Sequence, residues 1–166
     1  MKLYHGSNIE VSNPDLNKGR KRVDFGPGFY LTTLPEQAEK WARQKSGENK
    51  SKSIVSVYEF HDSDELFHKI FHGYTEEWLM FVVDNRRSDF PLVNYGYDVI
   101  FGNIADDKVI RVVNDFIERL KEGRVDDIQI VATLRDLSYQ EENNQYCFAT
   151  KKSLKYLQFK RSYEVK

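Results

Sequence analysis

The sequence contains a single cysteine, Cys147, and this scarcity limits the chemistry open to the chain. One thiol cannot form an intrachain disulfide, and no zinc site built on cysteines is available. A reducing compartment is therefore expected. No apolar run approaches the roughly 18 residues of a membrane-spanning helix, and residues 1–5 lack the apolar stretch of a signal peptide. The sequence therefore predicts a cytoplasmic protein with no membrane partner.

Net charge and the common nucleotide-binding motifs are also lacking. The formal net charge is -1 over 166 residues, so no global field attracts nucleic acid or a membrane surface. Neither GxGxxG nor GxxxxGKS/T stands between a strand and a helix, which disfavours a Rossmann or P-loop fold. Aromatic residues are plentiful instead, with 10 Tyr, 11 Phe and 2 Trp. We expect one packed domain over residues 1–166, because no repeat or long linker divides the chain.

The pattern of apolar and polar residues predicts short strands mixed with helices. Strands are expected at 3–5, 29–32, 54–60, 97–102, 144–149 and 156–165, and helices at 36–45, 65–72, 76–85, 107–121 and 127–137, with a helical turn at 151–155. Pro35 is expected to open the first helix, since proline is favoured in a first helical turn. Short strands mixed with helices are typical of an α+β domain with a small split sheet.

Three separated segments carry the residues of greatest chemical interest. They are Tyr4-His5-Gly6-Ser7, the stretch from Phe25 to Thr33, and the stretch from Asn143 to Phe148. Taken singly, each is common in structural roles, as a turn or a strand end. In this order and at these distances, they resemble the ADP-ribosyltransferase superfamily, in its diphtheria-toxin and poly(ADP-ribose) polymerase-like branch. The pattern of that branch is His, Tyr and then Glu or a variant.

The sequence looks still more similar to a family of small uncharacterised bacterial proteins of the same clan. Its shared stretches resemble 4–7, 25–30 and 97–107 of this chain, and the resemblance covers about half of the residues. It implies an ADP-ribosyltransferase-type split β-sheet core with flanking helices, which binds NAD in a cleft. The implied catalytic residues are Gln145, His5 and Tyr30, and the implied NAD-binding residues are His5, Gly6, Ser7, Arg20, Gly28, Tyr30 and Trp41.

The resemblance also implies how these residues act. His5 and Ser7 would contact a ribose, and the main chain of Gly6 would bind the nicotinamide carboxamide, which a missing Cβ permits. Tyr30 would stack on the nicotinamide ring, with Trp41 as the opposite wall, since a cationic pyridinium is attracted to aromatic faces. Gln145 would accept a hydrogen bond from the nicotinamide ribose. No metal is required.

Two positions depart from the family pattern. Gln145 stands where the family often has a catalytic glutamate, and an amide neither carries a negative charge nor removes a proton from an acceptor. The base would then be Glu141, Glu142, a nearby aspartate or the substrate itself. Ala38 stands where polymerase-like members have a serine that contacts the carboxamide.

Other polar residues have two interpretations each. The cluster from Arg20 to Arg22 would neutralise the NAD pyrophosphate or a nucleic-acid phosphate, or is a solvated loop. Asp106 or Asp107 is expected to cap the following helix, whereas Asp98 within an apolar strand needs a partner. A metal site at His61, His68 and His72 is disfavoured against a solvated helix face. Packing is expected for Cys147.

The function expected from the resemblance is transfer of ADP-ribose from NAD to a protein or nucleic-acid acceptor, with release of nicotinamide. By analogy with the family, such a protein acts as a bacterial toxin, with a small antitoxin protein as a candidate partner, or in phage defence. Three alternatives stay open at this point. They are an NAD glycohydrolase, an inert NAD-binding module, and a structural domain that binds no nucleotide.

Overall fold

The computed structural model describes residues 1–49, 51–87, 95–138 and 142–166 of the chain. These residues form seven strands and five helices, which confirms the α+β class. In chain order they are β1 (Lys2–Ser7), a 3-10 turn (Leu16–Lys18), β2 (Phe29–Leu31), α1 (Pro35–Asn49), β3 (Ile54–Phe60), β4 (His68–Ile70), α2 (Glu76–Arg86), β5 (Val99–Gly102), α3 (Asp107–Lys121), α4 (Asp127–Leu137), β6 (Gln145–Phe148), α5 (Lys151–Leu154) and β7 (Leu157–Glu164). Within these ranges, no helix combines the length and the apolar character that crossing a membrane requires.

The strands form two small sheets that meet at their edges. The first sheet has the order β1-β3-β7 and is antiparallel throughout. The second has the order β2-β6-β5-β4, and only the β4–β5 pair in it is parallel. Tyr4 on β1 and Thr32, just after β2, exchange main-chain hydrogen bonds of 2.8 and 2.9 Å, so the edge of one sheet is joined to the edge of the other.

Alternation of side chains along the strands produces three apolar layers. One face of the second sheet packs against the first sheet, through Leu3, Phe29, Leu31, Tyr58, Phe60, Leu66, Val99 and Phe148. The opposite face packs against α2, α3 and α4, through residues that include Phe71, Trp78, Val82, Ile100, Val113, Phe116 and Cys147. On its outer face, the first sheet is covered by α1, through Ala38, Ala42, Val55 and Val57.

The contact between α1 and β1 depends on the absence of a side chain at Gly6. A Cβ built there would lie 1.9 Å from the carbonyl oxygen of Ala38 and 2.8 Å from the amide nitrogen of Ala42. Both neighbours are main-chain atoms of α1, so a rotamer change cannot relieve the overlap. A glycine on the strand and two alanines on the helix therefore allow the two backbones to approach closely.

One predicted helix is wrong and one predicted cap is confirmed. Residues 65–72 do not form a helix, because His68–Ile70 is the strand β4, paired in parallel with β5. Leu66, Phe67, Ile70 and Phe71 have helical spacing, but a run this short does not separate a helix from a strand, and pairing with β5 decides the outcome. Asp106 caps α3 by accepting from the amides of Lys108 and Val109, as expected.

Candidate functional site

The residues from Asn143 to Gln145, where β6 begins, bind three different parts of the molecule. Asn143 connects to the segment after β5, because its Oδ1 accepts from the amide of Ile104 at 2.8 Å. Its Nδ2 donates to the hydroxyl of Tyr74 at 3.0 Å, and that hydroxyl donates to the carbonyl of Ile104 at 3.0 Å. The first of the three side chains thus closes a small ring of hydrogen bonds at the end of β5.

Asn144 connects β6 to the end of β2 and the start of α1. Its Oδ1 accepts from the hydroxyl of Thr32 and the amide of Thr33, both at 3.0 Å, and its Nδ2 donates to the hydroxyl of Thr33 at 2.8 Å. Its main-chain carbonyl accepts from Nε2 of Gln37 on α1 at 2.6 Å. This asparagine therefore fixes where the chain leaves β2 relative to β6.

Gln145 is only 4 % exposed, and its amide is held by two acceptors. Nε2 donates to Oδ2 of Asp24 at 2.8 Å and to the carbonyl of Asn103 at 3.2 Å. A carboxylate and a carbonyl oxygen can only accept, so the amide nitrogen must face them and Oε1 must face away. The partners of Gln145 thus fix the orientation of its amide.

Asp24 forms the centre of this network and is 5 % exposed. Its Oδ1 accepts from Arg86 at the end of α2, through Nε at 2.7 Å and through Nη2. Its Oδ2 accepts from the amide of Ala105 at 2.8 Å as well as from Gln145. A buried carboxylate needs such donors, because desolvation of an unpaired charge is costly. Asp24 therefore gathers the loop before β2, the segment after β5, β6 and α2 at one point.

Sequence reasoning missed both partners of this ion pair. The sequence patterns single out neither Asp24 nor Arg86. The two residues are 62 positions apart and Gln145 is 121 positions from Asp24, so no local spacing reveals the contacts. The available signal was the position of Asp24 directly before Phe25, at the start of a stretch that the family resemblance covers.

Tyr30 lies on the same face of the second sheet as Gln145. It is paired with Cys147, and Gln145 precedes Cys147 by two strand positions. Its hydroxyl donates to the carbonyl of Gly26 at 2.6 Å and accepts from the amide of Phe25 at 3.1 Å, so the ring holds the preceding loop against the sheet. Burial raises the pKa of Tyr30 well above its ordinary value, and the nearby Cys147 and the charge of Asp24 add to the shift.

His5 is bonded to β2 through the main chain of Tyr30. Its Nδ1 lies 2.7 Å from the Tyr30 carbonyl oxygen, so Nδ1 carries the proton and Nε2 of the neutral ring is an acceptor. Burial lowers the pKa of His5, while the bond to the carbonyl opposes the shift. The imidazole packs on Phe29, with ring centres 4.4 Å apart. Phe29 projects from the face of β2 opposite to Tyr30, so the imidazole and the phenol flank β2 from its two sides.

The remaining predicted NAD-binding residues have varied surroundings. Gly6 faces α1, and Gly28 is buried where a Cβ would lie 2.3 Å from Sγ of Cys147. Ser7 is half-buried, with its hydroxyl 3.5 Å from Oδ1 of Asn8. Trp41 is half-buried on α1, and Arg20 is exposed.

The basic cluster beside Arg20 contains an unsatisfied donor. Nη1 of Arg22 is buried and has no hydrogen-bond partner within the described parts of the chain. Buried donors are rarely left unpaired in folded proteins. The simple interpretation of the cluster as a solvated loop therefore does not account for Arg22.

The other candidate carboxylates that the structure describes do not belong to the network around Asp24. Asp98 accepts from Thr150 at 2.6 Å and from the amide of Phe67 at 3.0 Å. Burial alone would raise the pKa of Asp98, but these bonds and the ammonium of Lys152 outweigh it and hold the pKa below its usual value. Asp98 is thus a structural partner of α5 and the segment before β4. Glu142 is exposed, and Glu141 lies outside the described residues.

The predicted packing role of Cys147 is confirmed, because the thiol is fully buried and burial raises its pKa to about 12. Among the histidines considered as metal ligands, His68 lies on β4 with Nε2 3.0 Å from Oδ1 of Asp62. Across the described ranges, no group of three His, Cys, Asp or Glu side chains is arranged to hold a metal ion.

A cavity of about 270 Å³ lies elsewhere, on the outer face of the first sheet. It is lined by Lys2, Tyr4, Val57, Glu59, Lys160 and Arg161. Lys160 is engaged there in a 2.8 Å ion pair with Glu59. None of these residues belongs to the predicted NAD site, and Gln145 does not line this cavity.

Comparison with known proteins gives a family but no characterised relative. A search of curated proteins found no significant match, and a search of solved structures found none either. The family model described as "Protein of unknown function (DUF3990)" matches residues 1–159. Because that match spans nearly the entire sequence, the chain belongs to the DUF3990 family.

Proposed function

We propose that the chain transfers ADP-ribose from NAD to a macromolecular acceptor and releases nicotinamide, and that its two sheets form an ADP-ribosyltransferase-type core. One observation carries the proposal: the segments of the family resemblance converge in space. Gln145, the loop that leads to Tyr30 and the segment 103–105 share one buried hydrogen-bond network around Asp24. His5 is bonded to β2 at Tyr30.

The reaction requires little from the protein beyond positioning and electrostatics. The bond between C1′ of the ribose and the nicotinamide nitrogen breaks, and its electron pair leaves with nicotinamide. The acceptor then bonds to C1′ and loses its proton to solvent. The transition state resembles an oxocarbenium ion, as in glycoside hydrolysis. Orienting the ribose is worth several orders of magnitude in rate for such a step.

The protonation state of His5 suits a role in holding the ribose. Burial lowers its pKa, so the ring is neutral at pH 7, with its proton on Nδ1. Nε2 is then free to accept a ribose hydroxyl, which a protonated imidazole does not do. On this proposal His5 accepts a hydroxyl of one NAD ribose, and Oε1 of Gln145 accepts a hydroxyl of the nicotinamide ribose.

The unsatisfied Arg22 supports the assignment of a phosphate-bearing ligand. A guanidinium nitrogen that is buried without a partner is costly, and a pyrophosphate oxygen is an acceptor that would satisfy it. Arg20 on the same loop is exposed and would add charge at the mouth of the site. The proposed ligand set is therefore His5 at one ribose, Gln145 at the nicotinamide ribose and Arg22 at the pyrophosphate. Protein or nucleic acid is the proposed acceptor, and a small antitoxin protein is a candidate partner.

The test is incubation with NAD labelled in its adenylate half, together with fractionated cell lysate. Nicotinamide is measured by chromatography, and label is sought on protein and on nucleic acid. His5→Ala should lower nicotinamide release about tenfold, the cost of one lost hydrogen bond to the ribose. His61→Ala is the matched control, because His61 is an exposed histidine away from this network. The activity of this variant should equal that of the wild type.

Each outcome identifies a function or rejects the proposal. Nicotinamide release with label on a macromolecule supports transfer, whereas release with free ADP-ribose alone indicates a glycohydrolase. Binding of NAD without release, even with lysate present, indicates an inert binding module. A wild-type chain that neither binds nor cleaves NAD contradicts the proposal.

A further inference from the structure

We propose that Asp24 is a positioning residue for Gln145, which directs Oε1 of the amide toward the substrate and makes a neutral side chain at position 145 obligatory. This inference rests on the proposed function and concerns the same site. The family resemblance alone treats Gln145 as a substituted glutamate that has lost a charge. The contacts of its amide indicate that glutamine is the residue this site requires.

The orientation of the amide follows from its partners. Nε2 of Gln145 donates to Oδ2 of Asp24 at 2.8 Å and to the carbonyl of Asn103 at 3.2 Å. A flipped amide would set Oε1 against two oxygen acceptors, which is repulsive. The amide therefore has a single stable orientation before any substrate binds, and Oε1 remains the acceptor on the side away from Asp24.

Asp24 acts through Gln145 and not on the substrate directly. Its Oδ1 accepts from Nε and Nη2 of Arg86, and its Oδ2 accepts from Ala105 and Gln145. Each carboxylate oxygen thus has two donors, so the four acceptor positions are filled and none remains to take a proton from an acceptor molecule.

The negative charge of Asp24 nevertheless reaches the reaction through the amide. A hydrogen bond from an amide to a carboxylate is charge-assisted and polarises the donor. Polarisation along a chain of hydrogen bonds makes Oε1 a better acceptor, and therefore a better partner for a ribose hydroxyl as positive charge develops on the sugar. In this way Gln145 recovers part of the electrostatic effect that a carboxylate would give.

The same geometry explains why glutamate is unsuitable at this position. An introduced carboxylate would place an oxygen against Asp24 and against the Asn103 carbonyl, with a like charge beside it. Such a like charge raises the pKa of a carboxyl group. When protonated, however, that carboxyl reproduces most of the amide's contacts, because its single O–H donates to Asp24 and its carbonyl oxygen remains an acceptor. Only the bond to the Asn103 carbonyl is lost.

The experiment measures kcat and KM for NAD cleavage from about pH 5.5 to about pH 8.5 in the wild type, Gln145→Glu, Asp24→Asn and the double variant. At pH 8 Gln145→Glu should lose at least about tenfold in kcat. Relative to the wild type, the loss should shrink by about tenfold per pH unit toward acid as the introduced carboxyl takes up a proton. In the double variant the like charge of Asp24 is gone, so the pKa of the introduced carboxyl is lower. The recovery of kcat toward acid pH should therefore begin about one pH unit lower.

Stability is measured in parallel, because removal of a buried charge partner also affects folding. Asp98→Asn is the matched control: it removes another buried carboxylate that has hydrogen-bond donors but does not touch Gln145. It should lower the thermal midpoint without the pH-dependent change in kcat. The thermal midpoint of Gln145→Glu should itself approach that of the wild type as the pH falls, a readout that needs no NAD.

The outcomes separate this inference from the proposed function. An active wild type with an equally active Gln145→Glu at pH 8 overturns the inference and leaves the proposed function intact. A folded Gln145→Glu whose kcat and thermal midpoint, relative to the wild type, do not change with pH also overturns it. A wild type that neither binds nor cleaves NAD rejects the proposed function, and the inference with it.

Discussion

Substitution of Gly28 by alanine should destabilise the protein, mainly through a steric overlap with Cys147 that a second substitution can remove. A Cβ at this position would lie 2.3 Å from Sγ of Cys147 and 3.0 Å from the carbonyl oxygen of Phe148. Non-bonded heavy atoms prefer separations of about 3.5–4.0 Å, so the overlap with sulfur exceeds 1 Å. Gly28 does not have a left-handed backbone, so alanine adds no conformational strain and the effect is one of packing.

The magnitude follows from how little Cys147 can move. Cys147 is fully buried on β6, which is hydrogen-bonded in register to β2 on one side and β5 on the other. Overpacking of a core costs about 1–3 kcal/mol, and this constrained position should fall near 2–3 kcal/mol. For a chain of this size, that loss lowers the thermal midpoint by about 5–10 °C.

Calorimetry or circular dichroism melting of Gly28→Ala, Cys147→Ala and the double variant provides the test. Cys147→Ala alone should cost about 1 kcal/mol, since a methyl-sized group leaves the core. In the double variant the new Cβ occupies space that the sulfur vacated, so the two losses should fall short of additivity by about 2 kcal/mol. Recovery should be incomplete, because the Phe148 carbonyl remains 3.0 Å from the Cβ.

Gly47→Ala is the control, because Gly47 is exposed on α1 with no atom within 4 Å of a built Cβ. It should raise stability by up to about 1 kcal/mol through helix propensity. Strictly additive losses for Gly28→Ala and Cys147→Ala, or a Gly28→Ala variant that melts with the wild type, would refute the steric reasoning.

Two further variants test the remaining parts of the structure. Gly6→Ala should cost about 3 kcal/mol or more in urea denaturation, because its Cβ would lie 1.9 Å from a main-chain oxygen of α1, and an unchanged midpoint would disprove the close approach. His5→Gln should reduce the decrease in the free energy of unfolding that the wild type shows toward acid pH. Burial lowers the pKa of His5 in the folded chain below its ordinary 6.5, so the unfolded chain binds more protons in this range. The stability of the wild type therefore falls as the pH drops from above 6.5 through the folded pKa. Urea denaturation from about pH 7.5 to about pH 5 measures this slope, and equal slopes in both proteins would contradict the assignment.

The sequence predicts most helices and strands of this fold because their apolar patterns are long or begin at a proline or a capping residue. Pro35 opens α1, the amphipathic run of α3 follows the cap at Asp106, and β3 is rich in β-branched and aromatic residues. β4 is the failure, since its three residues take their conformation from pairing with β5, a partner about thirty positions away. A short apolar run contains no information about such a partner.

The candidate site divides in the same way. His5, Tyr30 and Gln145 are predicted because they stand in recognisable motifs. Asp24 and Arg86 were not found, because their importance arises only from contacts across the folded chain.

For the glycines, the sequence does not reveal why a side chain is excluded. At position 6 the expected reason for a glycine is the approach of NAD, whereas the structure gives a packing cause, the α1 backbone. At Gly28 the structure also gives a packing cause, the sulfur of Cys147. The sequence motifs do not identify the neighbour that excludes a side chain at either position. That neighbour is known only once the elements are assembled.

The division of labour among Asn143, Asn144 and Gln145 has a consequence for chain length. Asn143 contacts Ile104, Asn144 contacts Thr32 and Gln145 contacts Asp24. Deleting or inserting one residue between them would turn every later side chain toward the wrong partners and leave a buried carboxylate without its amide. Loops elsewhere can gain or lose residues at little cost, but this junction is where a length change of a single residue is least tolerable.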